Sequence, residues 1–257
     1  MGKGTFMNEQ IYYRDLRYQN FPGARLTSED FTQSNLAGIN LNAADLHGVR
    51  FAMSNLTCAR LAKANLAGAE MSHSDLTRAD LSDANLSRAD LSDTTCVRAD
   101  LSGAILTFAN LSDADLSLSD FTGADLTSAD LTFADLSHAC LREANLFRSD
   151  LSDADLSHAD LEMANLLEAD LSDVTLVAAN LCLARLCNAD LSFVNLTGAD
   201  LNRADLSGAN LTGALLIGAD IGGANLKGAD MTRANLSEAS WLDARVEGVV
   251  GWPPKGI

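Results

Sequence analysis

The sequence has little of what compact enzymes, secreted proteins and nucleic-acid binders are usually built from. Its 257 residues include three prolines, two of them the adjacent Pro253 and Pro254, and aromatic residues make up only 5%. Lys and Arg total 18 against 35 Asp and Glu, a formal net charge of −17. Neutralising phosphates needs clustered cations, so no direct nucleic-acid contact is expected and a basic partner is the favoured kind. There is no run of about 18 apolar residues for a membrane span, and Met1 to Asn8 lack the apolar core of a signal peptide. The expectation is therefore a cytoplasmic protein with no membrane contact. Cys58, Cys96, Cys140, Cys182 and Cys187 form an odd set without a C-x-x-C pair, which reads as reduced thiols. A G-x-S-x-G elbow, a phosphate loop and a convergent acid–base pair are all missing, so neither an enzyme nor a cofactor is expected.

What the chain does have is a period of five. From Leu16 to Val246 every fifth residue is large and apolar, without one insertion. Most of these centres are Leu, with Phe at 21, 31, 51 and 121, Met at 71 and 231, and Cys96, Ile221, Trp241 and Val246 as the other variants. Two residues before the centre stands a small residue, usually Ala, as at Ala64, Ala84, Ala124 and Ala154. Between them comes Asp or Asn, and the two residues after the centre are mostly Ser, Thr, Gly or charged. Five fits neither the 3.6 of a helix nor the alternation of a strand, so neither would keep the centres buried. A chain that turns once per repeat does. Four repeats then close a square coil of twenty residues, and about twelve coils stacked at strand spacing of ~4.8 Å give a rod roughly 55 Å long.

Units such as Ala79-Asp80-Leu81-Ser82-Asp83 resemble those of the pentapeptide-repeat family over about nine tenths of the chain. The resemblance implies an all-β fold, a right-handed quadrilateral β-helix without inserted loops. The expected organisation is an N-terminal cap or disordered lead over 1–18, a solenoid over 19–247 and a C-terminal cap or tail over 248–257. Tyr12, Tyr13, Leu16, Tyr18, Phe21 and Pro22 are the candidates to cover the first coil, and Trp241, Val246, Trp252 and Pro253-Pro254 the last. Leu81, Leu126, Leu156 and Leu196 represent the structural core.

Residues twenty apart should share a face, which turns the sequence into a surface map. Asp90, Asp130, Asp150, Asp170 and Asp190 fall in one column, and Asp93, Asp113, Asp153 and Asp173 in another on the same acidic face. A second group breaks the polar rule for outward positions. Phe147, Leu167 and Cys187 share one outward column, while Met163 and Leu183, beside Cys182, occupy the adjoining corner. Arg142, Arg148, Glu162 and Glu168 rim them, which is the composition of a partner-binding patch. His138 and His158 also fall twenty apart, near Asp135 and Asp155, but lack the supporting ligands of a metal site. The sequence reading is a non-enzymatic interaction, scaffold or regulatory solenoid, monomeric or dimeric, with a protein partner. Some members of the resembled family imitate duplex DNA with an acidic rod and bind DNA gyrase or topoisomerase IV, so the resemblance implies DNA mimicry as the alternative.

Overall fold

A computed structural model describes residues 13–252, which form a right-handed quadrilateral β-helix. Asp15 pairs in parallel with Asn35, Asn20 with Asn40, Arg25 with Asp45, and the same step of twenty continues to Asp230 with Val250. Four such pairs per coil define four walls. In chain order their centres are Phe21, Leu41 and onward (first wall), Leu26 and Leu46 (second), Phe31 and Phe51 (third), and Leu36 and Leu56 (fourth).

One repeat shows why the pattern is Ala-Asp-Leu-Thr-Ser rather than any apolar alternation. Every amide of Ala124 to Ser128 finds an acceptor. Asp125 N–H donates to Ala104 O at 2.9 Å on one neighbouring coil, and Leu126 and Ser128 donate to Asn145 O and Phe147 O on the other at 2.7 and 2.9 Å. Ala124 N–H closes the preceding turn on Phe121 O at 2.9 Å. The remaining amide, Thr127 N–H, has no backbone acceptor; the Asp125 carboxylate takes it at 3.1 Å and the Thr127 hydroxyl at 2.6 Å. Short polar side chains bond the backbone two residues on in just this way. Asp and Asn before the centre are therefore part of the turn, half-buried rather than simply solvated.

The corner follows from the next residue. Leu126 O accepts from Ala129 N–H at 3.0 Å, and Ser128 between them has φ +55°, the left-handed third position of a type II turn. The same residue of almost every repeat is left-handed, including Asp153 at +61° and Met163 at +61°. β-branched residues tolerate that region worst. None stands there from Tyr18 to Gly248.

Between the end coils the centres and the small residues are buried; Leu81, Leu126, Leu156 and Leu196 are each 0% exposed. The Phe31 and Phe51 rings stack at 5.4 Å near the start of the third wall. Cys96 takes a centre position, and burial pushes its thiol up to about 12, so it is an inert packing group. Where Ser149 replaces Ala in the small position, its hydroxyl is absorbed locally, donating to Leu146 O at 2.8 Å.

The two ends differ. At the C-terminal end Trp241 meets Trp252 edge-on at 6.0 Å, and both pack with Val246 against the core. At the N-terminal end Tyr13 and Tyr18 are exposed, and an apolar recess of about 210 Å³ remains among Leu16, Phe21, Leu26 and Phe31. Tyr12 and Pro253-Pro254 lie outside the described residues.

Candidate functional site

The interior between the end coils is filled, so the exposed side chains lie on the outer walls, and these differ in charge. The third wall carries two carboxylate rows. Asp130, Asp150, Asp170 and Asp190 pair successively along its outward column, with Asp90 reached through Asn110. Asp93 and Asp113, then Asp153 and Asp173, line its corner. The acidity is not confined to this wall: the outward column of the first wall runs Asp80, Asp100, Asp120, Cys140, Asp160, and the fourth carries Asp115, Asp135 and Asp155. The second wall departs over three coils, with Asn145, Asn165 and Arg185 between Asp125 and Asp205, and the fourth departs further along, at Thr175, Asn195 and Leu215.

Stacked carboxylates at strand spacing repel by roughly 1 kcal/mol in water. Two devices offset that. Each Asp of the outward column accepts from its own repeat, as Asp150 does from Ser152 N–H at 3.0 Å and from the Ser152 hydroxyl at 2.7 Å. For Asp230 the bonds from the Thr232 hydroxyl and amide hold the carboxyl below the ordinary Asp value. Asn residues placed between Asp residues donate along the column: Asn110 Nδ2 reaches Asp90 at 3.2 Å and Asn210 Nδ2 reaches Asp190 at 3.0 Å. The Ser and Thr residues after the centre thus serve the turn rather than forming a free hydroxyl ladder. A test follows from Asp150. Asp150→Ala strands the Ser152 amide and should lower stability by about 1 kcal/mol in urea denaturation. Asp150→Asn keeps the acceptor, as Asn110 does for Ser112 at 3.0 Å, and removes repulsion, so its stability should equal or exceed wild type.

The apolar group is divided rather than continuous. Phe147, Leu167 and Cys187 stack in one column of the second wall, half-buried, with Arg148 N–H donating to Leu167 O and Glu168 N–H to Cys187 O at 3.1 Å each. Met163 (50% exposed) and Leu183 (41%) sit at the corner shared with the first wall, and Cys182 lies just inside that corner. Between the two columns run Asn145 and Asn165, whose Nδ2 donates to Asn145 Oδ1 at 2.7 Å, and then Arg185. The rim cations are engaged within the chain. Arg148 bonds Glu168 at 2.7 Å with its guanidinium 4.8 Å from the Phe147 ring centre, and Arg142 bonds Asp160 at 3.1 Å and also Glu162. Burial, with Asp200 and Glu162 nearby, raises the Cys182 thiol, the opposite of an activated nucleophile.

Two exposed rings escaped the sequence reading. Phe133 (61%) and Phe193 (62%) project from the third wall, in the corner column of Asp113, Asp153 and Asp173. The step of twenty that grouped those carboxylates also contained the rings. His138 and His158 stack face to face at 4.8 Å, and among the described residues no group of three or more His, Cys, Asp or Glu is placed to hold a metal. A second recess, about 400 Å³, opens where Gly222 and Gly223 leave the first wall bare beside Asn202, Asp220 and Asp243. Among the described residues no helix is long and apolar enough to cross a membrane.

The geometry defines a repeat solenoid with a filled interior and four outward-facing walls. The family model for pentapeptide repeats matches overlapping stretches from 15–48 through to 209–249, and the chain belongs to that family. No curated protein sequence matches it. Among solved structures, HetL, a pentapeptide repeat protein involved in heterocyst differentiation regulation from the cyanobacterium Nostoc sp. strain PCC 7120, is 30% identical over 96% of this chain and 94% of its own, with a TM-score of 0.36. Rfr23 from the cyanobacterium Cyanothece 51142 is 36% identical over 39% of this chain and 63% of its own, TM-score 0.26. A trypsin-treated variant of QnrB1, a plasmid-mediated fluoroquinolone resistance protein, is 17% identical over 91% and 89%, TM-score 0.32.

Proposed function

We propose that this chain is a non-enzymatic interaction solenoid that engages a basic protein partner through its acidic side walls. The observation that carries this reading is the double carboxylate row of the third wall, where among the described residues Asp130, Asp150, Asp153, Asp170 and Asp173 form no ion pair. A wall of unpaired carboxylates steers and retains cationic partners, with an attraction that weakens as salt rises. The test replaces Asp130, Asp150 and Asp170 with Asn, which preserves the turn bonds, and Asp153 and Asp173 with Lys. Affinity capture from a bacterial lysate with wild type and variant as bait should lose its salt-sensitive partner in the variant. Identical protein sets from the two baits would overturn the reading.

The same double row supports DNA mimicry as a second reading, because closely spaced carboxylates along a rod reproduce a phosphate-like surface. It requires that the unmodified rod inhibit or protect DNA gyrase at micromolar concentration in a supercoiling assay, and that the five-residue variant lose the effect. Phe133 and Phe193 speak for an ordinary protein partner, since a phosphate surface has no counterpart to exposed phenyl rings on the same wall.

A further inference from the structure

The second wall is flanked on both sides by acid. Across one edge lie Asp150, Asp170 and Asp190 of the third wall; across the other lie Asp160, held by Arg142, then Asn180 and Asp200 of the first. The wall itself is nearly neutral along these coils, because Arg148 is spent on Glu168 and the column between the apolar residues is amide-rich. Arg185 faces Asp205: burial raises that carboxyl, but hydrogen bonds from Ser207 and Asn225 and the Arg185 charge outweigh it. The result is an apolar, near-neutral strip formed by Phe147, Leu167, Met163 and Leu183 between the carboxylate row of the third wall and the mixed Asp160, Asn180 and Asp200 column of the first.

We infer that this strip docks a basic amphipathic helix from a partner protein, its apolar side chains on the wall and its Lys and Arg flanks reaching over both edges. The inference rests on the interaction-solenoid reading and names where the partner sits and what chemistry it has. Dimensions agree. Three extended residues make the wall roughly 10 Å wide, and a helix with its side chains is about 10–12 Å across. Coils recur at ~4.8 Å and helical turns at 5.4 Å, so successive turns meet successive coils over the three coils of the strip. Charge selects the occupant. A second copy of the rod laid wall to wall would bring carboxylate rows close to carboxylate rows with few cations between them, Arg185 facing Asp205 and Arg203 following Leu183 at the corner, whereas a helix with cationic flanks pairs with the third-wall row and with Asp200 at once. Asp150, Asp170, Asp190 and Asp200 form no ion pair among the described residues and remain free to do so.

The probe is a synthetic helix of Leu and Lys with all leucines on one face, compared with a scrambled peptide of the same composition, by fluorescence anisotropy at low and physiological salt. The ordered peptide should bind better than the scrambled one. Phe147→Ser with Leu167→Ser and Leu183→Ser should weaken it about tenfold or more at an unchanged melting temperature, because truncated apolar anchors carry most of an interface. Phe133→Ser with Phe193→Ser, a loss of exposed apolar side chains on another wall, should change it less than about twofold. Asp150→Asn, Asp170→Asn and Asp190→Asn together should weaken binding and flatten its salt dependence. Equal affinity for both peptides, or equal losses in the strip and control variants, overturns the inference. So does a wild-type dimer in sedimentation that becomes a monomer in the strip variant, which would assign the wall to a second copy. Those outcomes leave the acidic-wall reading intact, since its capture experiment uses a variant with the strip unaltered.

Discussion

Leu126→Asp, and separately Leu156→Asp, should destabilise the rod by more than about 4 kcal/mol, read as a collapse of the midpoint in urea or thermal unfolding followed by circular dichroism. Each leucine is 0% exposed, with a centre from the coil before and the coil after packed against it, so a carboxylate there loses its hydration and finds no donor. Protonation to the neutral acid limits the penalty but still leaves a buried polar group and missing packing. In a solenoid each coil is stabilised mainly by its neighbours, so a fault in the middle also uncouples the two halves of the rod. Ser152→Ala is the matched control. It removes one hydroxyl bond to Asp150 at a half-exposed position and should cost under about 0.5 kcal/mol. Wild-type melting of both Asp variants would refute the inward placement of the centres.

Ala154→Phe should cost about 3 kcal/mol or more by overpacking. Ala154 is 1% exposed and its amide closes a turn on Leu151 O at 3.0 Å, so the side chain points into the corner of a filled square whose walls are tied by backbone bonds on both sides. Close-packed interiors do not yield the volume of a phenyl ring without moving backbone. Ala154→Ser should be tolerated within about 1 kcal/mol, because a hydroxyl there can donate to the carbonyl three residues back, as Ser149 does. Equal stability of the Phe and Ser variants would show that the small position is not sterically required.

The repeat, its inward residues and the step of twenty were all legible in the sequence, for a physical reason. Every repeat has the same environment, so the same burial and turn requirements are written many times over and chance agreement disappears. The Asp columns follow from the sequence because a square coil without insertions converts residue number directly into surface position. Local chemistry was less visible. That Asp125 serves Thr127, and that Ser and Thr follow the centre in order to bond the same carboxylate, depends on which one of five amides lacks a backbone acceptor. The avoidance of β-branched residues at the corner was present in the sequence, but it has meaning only once φ there is known to be positive.

What the amino-acid order determined by itself is the coil: which residues point inward, how many stack, and which share a column. Periodicity suffices there, because burying one large residue in five leaves a single economical path for the chain. The tertiary structure decided what the walls are. Met163 and Leu183 are held apart from Phe147 and Leu167 by an amide column, Arg148 and Arg142 are already engaged within the chain, and Phe133 and Phe193 stand out from a wall that otherwise reads as acid. Exposure, ion pairing and the reach of a side chain over the next coil depend on contacts between residues twenty apart and on the corner each occupies, and a five-residue pattern does not encode them.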